Sequence, residues 1–388
     1  MINFRSHNPT KIIFGKDTYK EIGGILGEYG KKKVLMVYGG RSLKANGVYD
    51  QVVHSLEASG ILFFELGGVK PNPRLSLVYE GIEIAKREQI DMVLAVGGGS
   101  VIDTAKAIAA GYYYEGDVWE LYITEAQPEK VLDVGVILTI PAAGSESSDG
   151  SVITNEETRM KCSCCTDLFF PKFAVLDPQL CYTLPDSQIS AGGADILAHV
   201  MERYFVPDDH HDFSDRMCEA AMVSLIENLP KVLKNKQDYE AWCEVMWIGN
   251  IAHNGLLGRG KRDDWGSHNI EHQLSAYYDI AHGAGLAIIF PAWMKYVWKE
   301  KPEMMEQYAL RVWKVCPEGK TREEVIREGI SRTEEFYHSI GLKTRLSEVG
   351  IDDRDFEKMA EKAVFMGPLG NFKKLYKEDV MEIYRLAL

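Results

Sequence analysis

Nowhere in the 388 residues does an apolar run reach the roughly 18 positions a membrane-crossing helix needs. The opening Met1-Ile2-Asn3-Phe4-Arg5 lacks the apolar core and small-residue cleavage site of a secretory leader. The expected compartment is therefore the cytoplasm, and no membrane partner is expected. Cysteine is scarce: seven residues, an odd number, are spread thinly through a long chain, which excludes a disulfide framework and fits reduced thiols. Positive charge is in deficit, 44 Lys and Arg against 57 Asp and Glu. The resulting net charge of -13 repels phosphate backbones and anionic lipid, so nucleic acid is excluded as an expected partner. Internal repeats and low-complexity tails are missing as well.

What is present points to two domains, since a chain of this length exceeds what one core usually supports. In the first half, short apolar runs (Val34 to Tyr38, Ile61 to Phe64, Asp91 to Val96, Val134 to Ile140, Phe173 to Leu176) alternate with helical periodicity at Tyr49 to Ser59 and Leu75 to Glu88. That alternation predicts an α/β domain with a largely parallel sheet. Past Asp177-Pro178 and Leu184-Pro185 the runs give way to long amphipathic stretches: Ala191 to Phe205, Met217 to Leu229, Tyr239 to Asn250, Trp265 to Tyr278, Arg322 to Ser339 and Phe356 to Phe365. The expected organisation is an α/β domain over 1–185 and an all-α domain over 186–388.

After the run ending at Val96 comes Gly97-Gly98-Gly99-Ser100-Val101-Ile102-Asp103-Thr104-Ala105-Lys106. Glycines permit close backbone approach to a ligand, and a helix starting there presents free N–H groups and its positive end to an anion such as a pyrophosphate. Ser100 and Asp103 also have the spacing of a capping box.

Asp195 and His199 are four residues apart on a predicted helix, which stacks them on one face. His268 and His272 repeat that spacing on a second helix, and His282 follows ten residues later in Ala281-His282-Gly283. Spacing alone leaves open whether His268 or His272 joins the others. One carboxylate with three imidazoles suits a borderline divalent ion, Fe(II) or Zn(II), and leaves a coordination position open for a substrate oxygen. His210 and His211, in an acidic Pro-containing stretch, read as an exposed loop.

Taken together, His7 to Gly15, Pro71-Asn72-Pro73, the Gly97 to Lys106 loop, Asp195-x3-His199 and His268-x3-His272-x9-His282 resemble the iron-containing, or group III, alcohol dehydrogenases. Among them the chain is most similar to the butanol dehydrogenase and aldehyde reductase branch. The resemblance runs almost end to end. It implies an N-terminal α/β dinucleotide-binding domain followed by an α-helical metal domain, and a homodimer. It places the metal on Asp195, His199, His268 and His282, and leaves His272 near the nicotinamide as the residue for proton delivery. It assigns Gly98, Gly99 and Ser100 to the pyrophosphate, and Asn72, Thr139, Ser145, Ser148 and Lys161 to the rest of the cofactor site.

Two departures from the family pattern matter. Pro141, Ala142 and Ala143 stand where many relatives have hydroxyl residues. Relatives specific for NAD usually carry an Asp after the strand that here ends Val37-Tyr38, whereas this chain has Gly39-Gly40-Arg41-Ser42-Leu43-Lys44. Without that carboxylate, Gly39, Gly40 and Ser42 with the neighbouring cations suit a 2′-phosphate, which favours NADP(H) over NAD(H). The implied reaction is reversible hydride transfer between the nicotinamide and a short-chain aldehyde or primary alcohol such as butanal and butanol. Glycerol or polyol dehydrogenases and dehydroquinate synthase share the expected fold and are the neighbouring alternatives. From another class, Cys162-Ser163-Cys164-Cys165 raises the alternative of a cysteine-based redox or metal sensor.

Overall fold

The apolar runs of the first half become the strands of one parallel sheet in the computed structural model, which describes residues 1–388. Its strands are β1 (Lys11–Phe14), β2 (Lys33–Tyr38), β3 (Leu62–Leu66), β4 (Met92–Gly97), β5 (Asp133–Leu138) and β8 (Phe173–Leu176), in the order β1-β8-β5-β4-β2-β3. The inner strands are buried at nearly every residue because helices cover both faces, which is why they read as unbroken apolar runs. On one face Ile22, Leu26, Val52 and Leu56 pack against Val34, Met36, Leu94 and Val96.

The helices Leu75–Glu88 and Gly99–Tyr113 approach each other through glycine: a Cβ on Gly81 would lie 2.3 Å from Ile108, and one on Gly111 2.2 Å from Ile82. The chain leaves β2 toward the edge strand β3 but leaves β4 toward β5. The carboxyl ends of β2 and β4 therefore form the switch point at which open α/β sheets bind ligands. β6 (Gly150–Asn155) and β7 (Met160–Cys165) form a separate antiparallel hairpin. β1 and this hairpin were not among the expected strands: β1 is a four-residue edge, and the hairpin is rich in Ser, Thr and Cys rather than aliphatic residues.

The chain divides into two compact units, His7–Leu184 with Lys236–Met246, and Met1–Ser6 with Pro185–Asn235 and Trp247–Leu388. Two short segments thus group differently from a single cut at 185. Ile2 N–H donates to the carbonyl of Gly260 at 2.9 Å, which ties the first residues to the helical unit. The Lys16 ammonium lies 4.2 Å from the centre of the Tyr239 ring, within the α/β unit.

At the centre of the helical unit is the helix Asp186–Tyr204, buried along almost its whole length after Ile189. Gly193 lets the helix Asp212–Lys234 cross it closely, since a Cβ there would sit 2.1 Å from Leu229. Phe205 anchors an aromatic core with Phe290, Trp293, Tyr308 and Phe372, its ring 5.1 Å from that of Tyr308. His211, expected in an exposed loop, is instead buried, with Nδ1 2.8 Å from Asp215, which also accepts from the buried Lys261. No helix is long and apolar enough to cross a membrane.

Candidate active site

Asp195 and His199 occupy successive turns of the central helix, and both are buried. His199 Nδ1 is 2.9 Å from the Asp195 carbonyl oxygen and 3.0 Å from its Oδ1. The second helix, Gly266–Tyr278, carries His268 and His272. Two buried carboxylates meet its positive end: Glu202 accepts from the backbone N–H of Trp265 (2.6 Å) and His268 (3.2 Å), and Asp264 accepts from Gly266 N–H (3.1 Å). Glu202 also accepts from Ser267 Oγ at 3.1 Å and lies 2.7 Å from His268 Nδ1.

His282 is the first residue of the third helix, His282–Val297. The glycines after it allow this placement. A Cβ on Gly283 would fall 1.8 Å from the Ala191 carbonyl oxygen, and one on Gly285 2.3 Å from Glu271. His282 Nδ1 hydrogen-bonds the carboxylate of Glu271, which also accepts from Ser275 Oγ at 2.6 Å. His282 Nε2 lies 4.0 Å from Asp195 Oδ1.

One ligand atom each from Asp195, His268 and His282 lies within 4.8 Å of the others, the spacing of donors around one ion. His268 Nε2 is buried with no hydrogen-bonding partner, an orphaned lone pair that a cation would satisfy. This donor set fits a borderline divalent metal. His199 stands outside the trio, its ring centre 4.5 Å from that of His268. His272 is outside it too, buried, with its ring 5.5 Å from that of His282. The spacing left His268 and His272 equivalent; the fold brings His268 to Asp195 and His282.

Charge at the site follows burial. Loss of hydration pushes the Glu202 carboxyl up to about 7, and pushes Asp264 to about 7 with the Glu202 charge adding to it. Asp195, also buried, is nevertheless held below the usual carboxylate range by the imidazoles of His199, His282 and His268. Burial, reinforced by His199, holds His268 well below the ordinary imidazole value, leaving it neutral and free to ligate. Glu202 and Glu271 were missed in the sequence because helical glutamates are ordinarily solvated. The usable signal was position: Glu202 follows His199 by three residues and Glu271 follows His268 by three.

In the α/β unit, Gly39, Gly97 to Ser100 and Thr139 stand at or just past the carboxyl ends of β2, β4 and β5. The helix begins at Gly99, and side chains on Gly98 and Gly99 would press on Ile140 (3.1 Å) and Ala143 (3.2 Å). Gly40 and Ser42 are exposed in the turn after β2. Asn72 is buried and accepts from Lys161 Nζ at 3.0 Å.

One expectation is corrected here. Ser100 and Asp103 do not form a capping box; the helix starts without a side-chain cap, and Asp103 accepts from Ser145 Oγ (2.7 Å) and Val152 N–H (3.2 Å). Ser145 and Ser148 are buried, and the Ser145 hydroxyl donates to Asp103 and accepts from Lys106 Nζ (3.0 Å). Burial pushes the Cys162 and Cys164 thiols up to about 12, which keeps both protonated near neutral pH.

A switch-point glycine loop and a separate buried carboxylate-imidazole trio define a class, the metal-dependent, nicotinamide-linked oxidoreductases. Comparison with known proteins narrows it. The model of the iron-containing alcohol dehydrogenases matches residues 9–178, and that of the Fe-containing alcohol dehydrogenase family, C-terminal, matches residues 189–388. The probable NADH-dependent butanol dehydrogenase 1 of Bacillus subtilis is 46% identical over 388 residues, covering 100% of both chains. The NADPH-dependent aldehyde reductase YqhD of Escherichia coli is 36% identical over 370 residues, covering 93% of each. A crystal structure of NADH-dependent butanol dehydrogenase A from Thermotoga maritima superposes with a TM-score of 0.96 at 42% identity, covering 100% of this chain and 99% of that one. The chain belongs to the iron-containing alcohol dehydrogenase family.

Proposed function

We propose that this member of the family interconverts short-chain aldehydes and primary alcohols, butanal and butanol among them, with NADPH as the preferred reductant. The observation that carries the reading is the convergence of Asp195, His268 and His282 around the orphaned Nε2 of His268. Those three residues, with His199 as the fourth, would hold Fe(II) or Zn(II). When bound, such an ion supplies Lewis acidity, polarising a carbonyl or lowering the pKa of an alcohol. His272, one ring away from His282, holds or moves the proton at its ring nitrogen.

The backbone N–H groups of Gly98, Gly99 and Ser100 at the helix start receive the pyrophosphate, and Asn72, Thr139 and Lys161 orient the rest of the dinucleotide. Ser145 and Ser148, held by Lys106, line the same part of the cofactor site. The preference for NADPH rests on the carboxylate-free turn Gly39 to Lys44, with Gly40 and Ser42 open to solvent.

NADH is the second reading, and one observation favours it. The Lys44 ammonium sits 4.3 Å from the Tyr49 ring centre and 3.8 Å from Glu65, so part of the positive charge of the turn is already compensated. The relatives are named for either cofactor.

The test uses protein stripped of metal, reloaded anaerobically with Fe(II) or Zn(II), and assayed with NADPH and NADH on butanal, glycerol and a phosphorylated sugar acid. Turnover of butanal only by the reloaded protein, fastest with NADPH, is expected. Inert butanal in both reloaded forms rejects the reading, and faster turnover of glycerol moves the chain to the polyol dehydrogenases.

A further inference from the structure

The imidazoles of His268 and His282 share an arrangement that His199 lacks. Each has its Nδ1 on the carboxylate of a fully buried glutamate, Glu202 for His268 and Glu271 for His282. The Nδ1 of His199 meets no glutamate: it lies between the carbonyl oxygen (2.9 Å) and the Oδ1 (3.0 Å) of Asp195, on its own helix and itself one of the candidate ligands. A carboxylate on Nδ1 keeps the ring proton on that nitrogen, which leaves the lone pair on Nε2, and it makes that lone pair more basic than a carbonyl partner does. Burying an ionised carboxylate is costly, and an apolar side chain of similar volume would be tolerated better at either position if packing were all that mattered.

We propose that Glu202 and Glu271 are positioning residues of the metal centre, each fixing the tautomer and direction of one imidazole, and that together they set its affinity for a divalent cation. The proposal rests on the metal reading of Asp195, His268 and His282. It assigns unequal roles to the imidazoles: His268 and His282 are each held in place by a buried glutamate before the ion arrives, and His199 has no glutamate in that role.

Glu202 also caps the helix Gly266–Tyr278, so capping and positioning have to be separated. Asp264 provides the control. It accepts from the backbone N–H groups of Gly266, Asn371 and Phe372 and hydrogen-bonds no imidazole. A carboxamide in its place weakens the cap while leaving His268 Nδ1 on Glu202.

Full-length protein is stripped with a chelator, and Zn(II) affinity is measured by competition with a chromophoric chelator, alongside the visible spectrum of the Co(II) form and the thermal midpoint without metal. Glu202→Gln and Glu271→Gln are each expected to weaken Zn(II) binding by about 10–100-fold and to shift the Co(II) bands. Asp264→Asn is expected to lower the thermal midpoint while holding Zn(II) within about twofold of the parent, as its lack of a ligand contact implies. Glutamine variants that bind Zn(II) as the parent does, with an unaltered Co(II) spectrum, overturn the positioning role. A loss of affinity in Asp264→Asn equal to that in Glu202→Gln overturns it for Glu202 by assigning the effect to capping. A parent protein that binds neither ion overturns the metal reading itself, and the proposal with it.

Discussion

The α-carbon of Gly283 faces the carbonyl oxygen of Ala191 so closely that a methyl group there would lie 1.8 Å from it. This contact sets the distance between two helices, and with it the distance from His282, one residue before, to Asp195, four residues after Ala191.

Gly283→Ala therefore tests the site through the backbone. The obstructing atom is a helix carbonyl with no rotamer to escape to, so the two helices must separate. Overpacking of this kind costs about 1–3 kcal/mol or more. Expected are a lower thermal midpoint and a preparation that loses its divalent metal on dialysis while the parent keeps it. Full metal retention would show that His282 does not depend on this contact.

His272→Ala separates proton handling from metal binding. His272 lies outside the trio, so the variant is expected to retain metal, while kcat falls about 10–100-fold and one limb of its pH dependence disappears. An unchanged pH profile would remove His272 from the proton path.

Gly39→Asp addresses cofactor choice. A side chain fits there, with its nearest neighbour the Val69 carbonyl at 3.6 Å, so the substitution adds charge without crowding. The ratio of kcat/KM for NADPH to that for NADH is expected to fall at least about tenfold, the effect of roughly 1.4 kcal/mol of repulsion. An unaltered ratio would mean that this turn does not meet the ribose.

Lys106 makes a prediction about pH. It is fully buried, and burial lowers its pKa to about 8 from the ordinary 10.5, against the pull of Asp103. Above pH 8 the folded chain sheds this proton while the unfolded chain keeps it up to about 10.5, so this group's contribution to stability increases with pH across that window. The thermal midpoint of the parent is expected to gain on that of Lys106→Met between pH 8 and 10, by an amount that in free energy reaches roughly 3 kcal/mol at most. A difference that stays flat or shrinks would mean that the ammonium is stable where it is buried.

The parallel sheet was legible because β2, β4, β5 and β8 are covered on both faces and so write themselves as aliphatic runs. β1 and the hairpin of β6 and β7 were not, being a short edge and a polar ribbon without that signature. At the site, the four-residue spacing marked Asp195 with His199 and His268 with His272, but a helix face does not say which neighbour it meets. The choice of His268 over His272 depends on where the helix that starts at His282 lies, and that is fixed by the close approaches of Gly283 and Gly285. Glu202 and Glu271 stayed hidden because, beyond their position three residues after His199 and His268, only burial distinguishes them from the many solvated glutamates of this acidic chain.

Lys106 has a consequence for kinetics as well. Its ammonium donates to the carbonyls of Ser145, Ser148 and Gly150 at 2.7 to 2.9 Å and so pins the strand-to-hairpin segment from beneath. A segment anchored at three points has little conformational freedom left to lose, so an anion bound as proposed at the neighbouring helix start would find its surroundings already arranged. Within this unit, association should proceed in one step, with a rate that scales with ligand concentration and does not level off at a slow rearrangement.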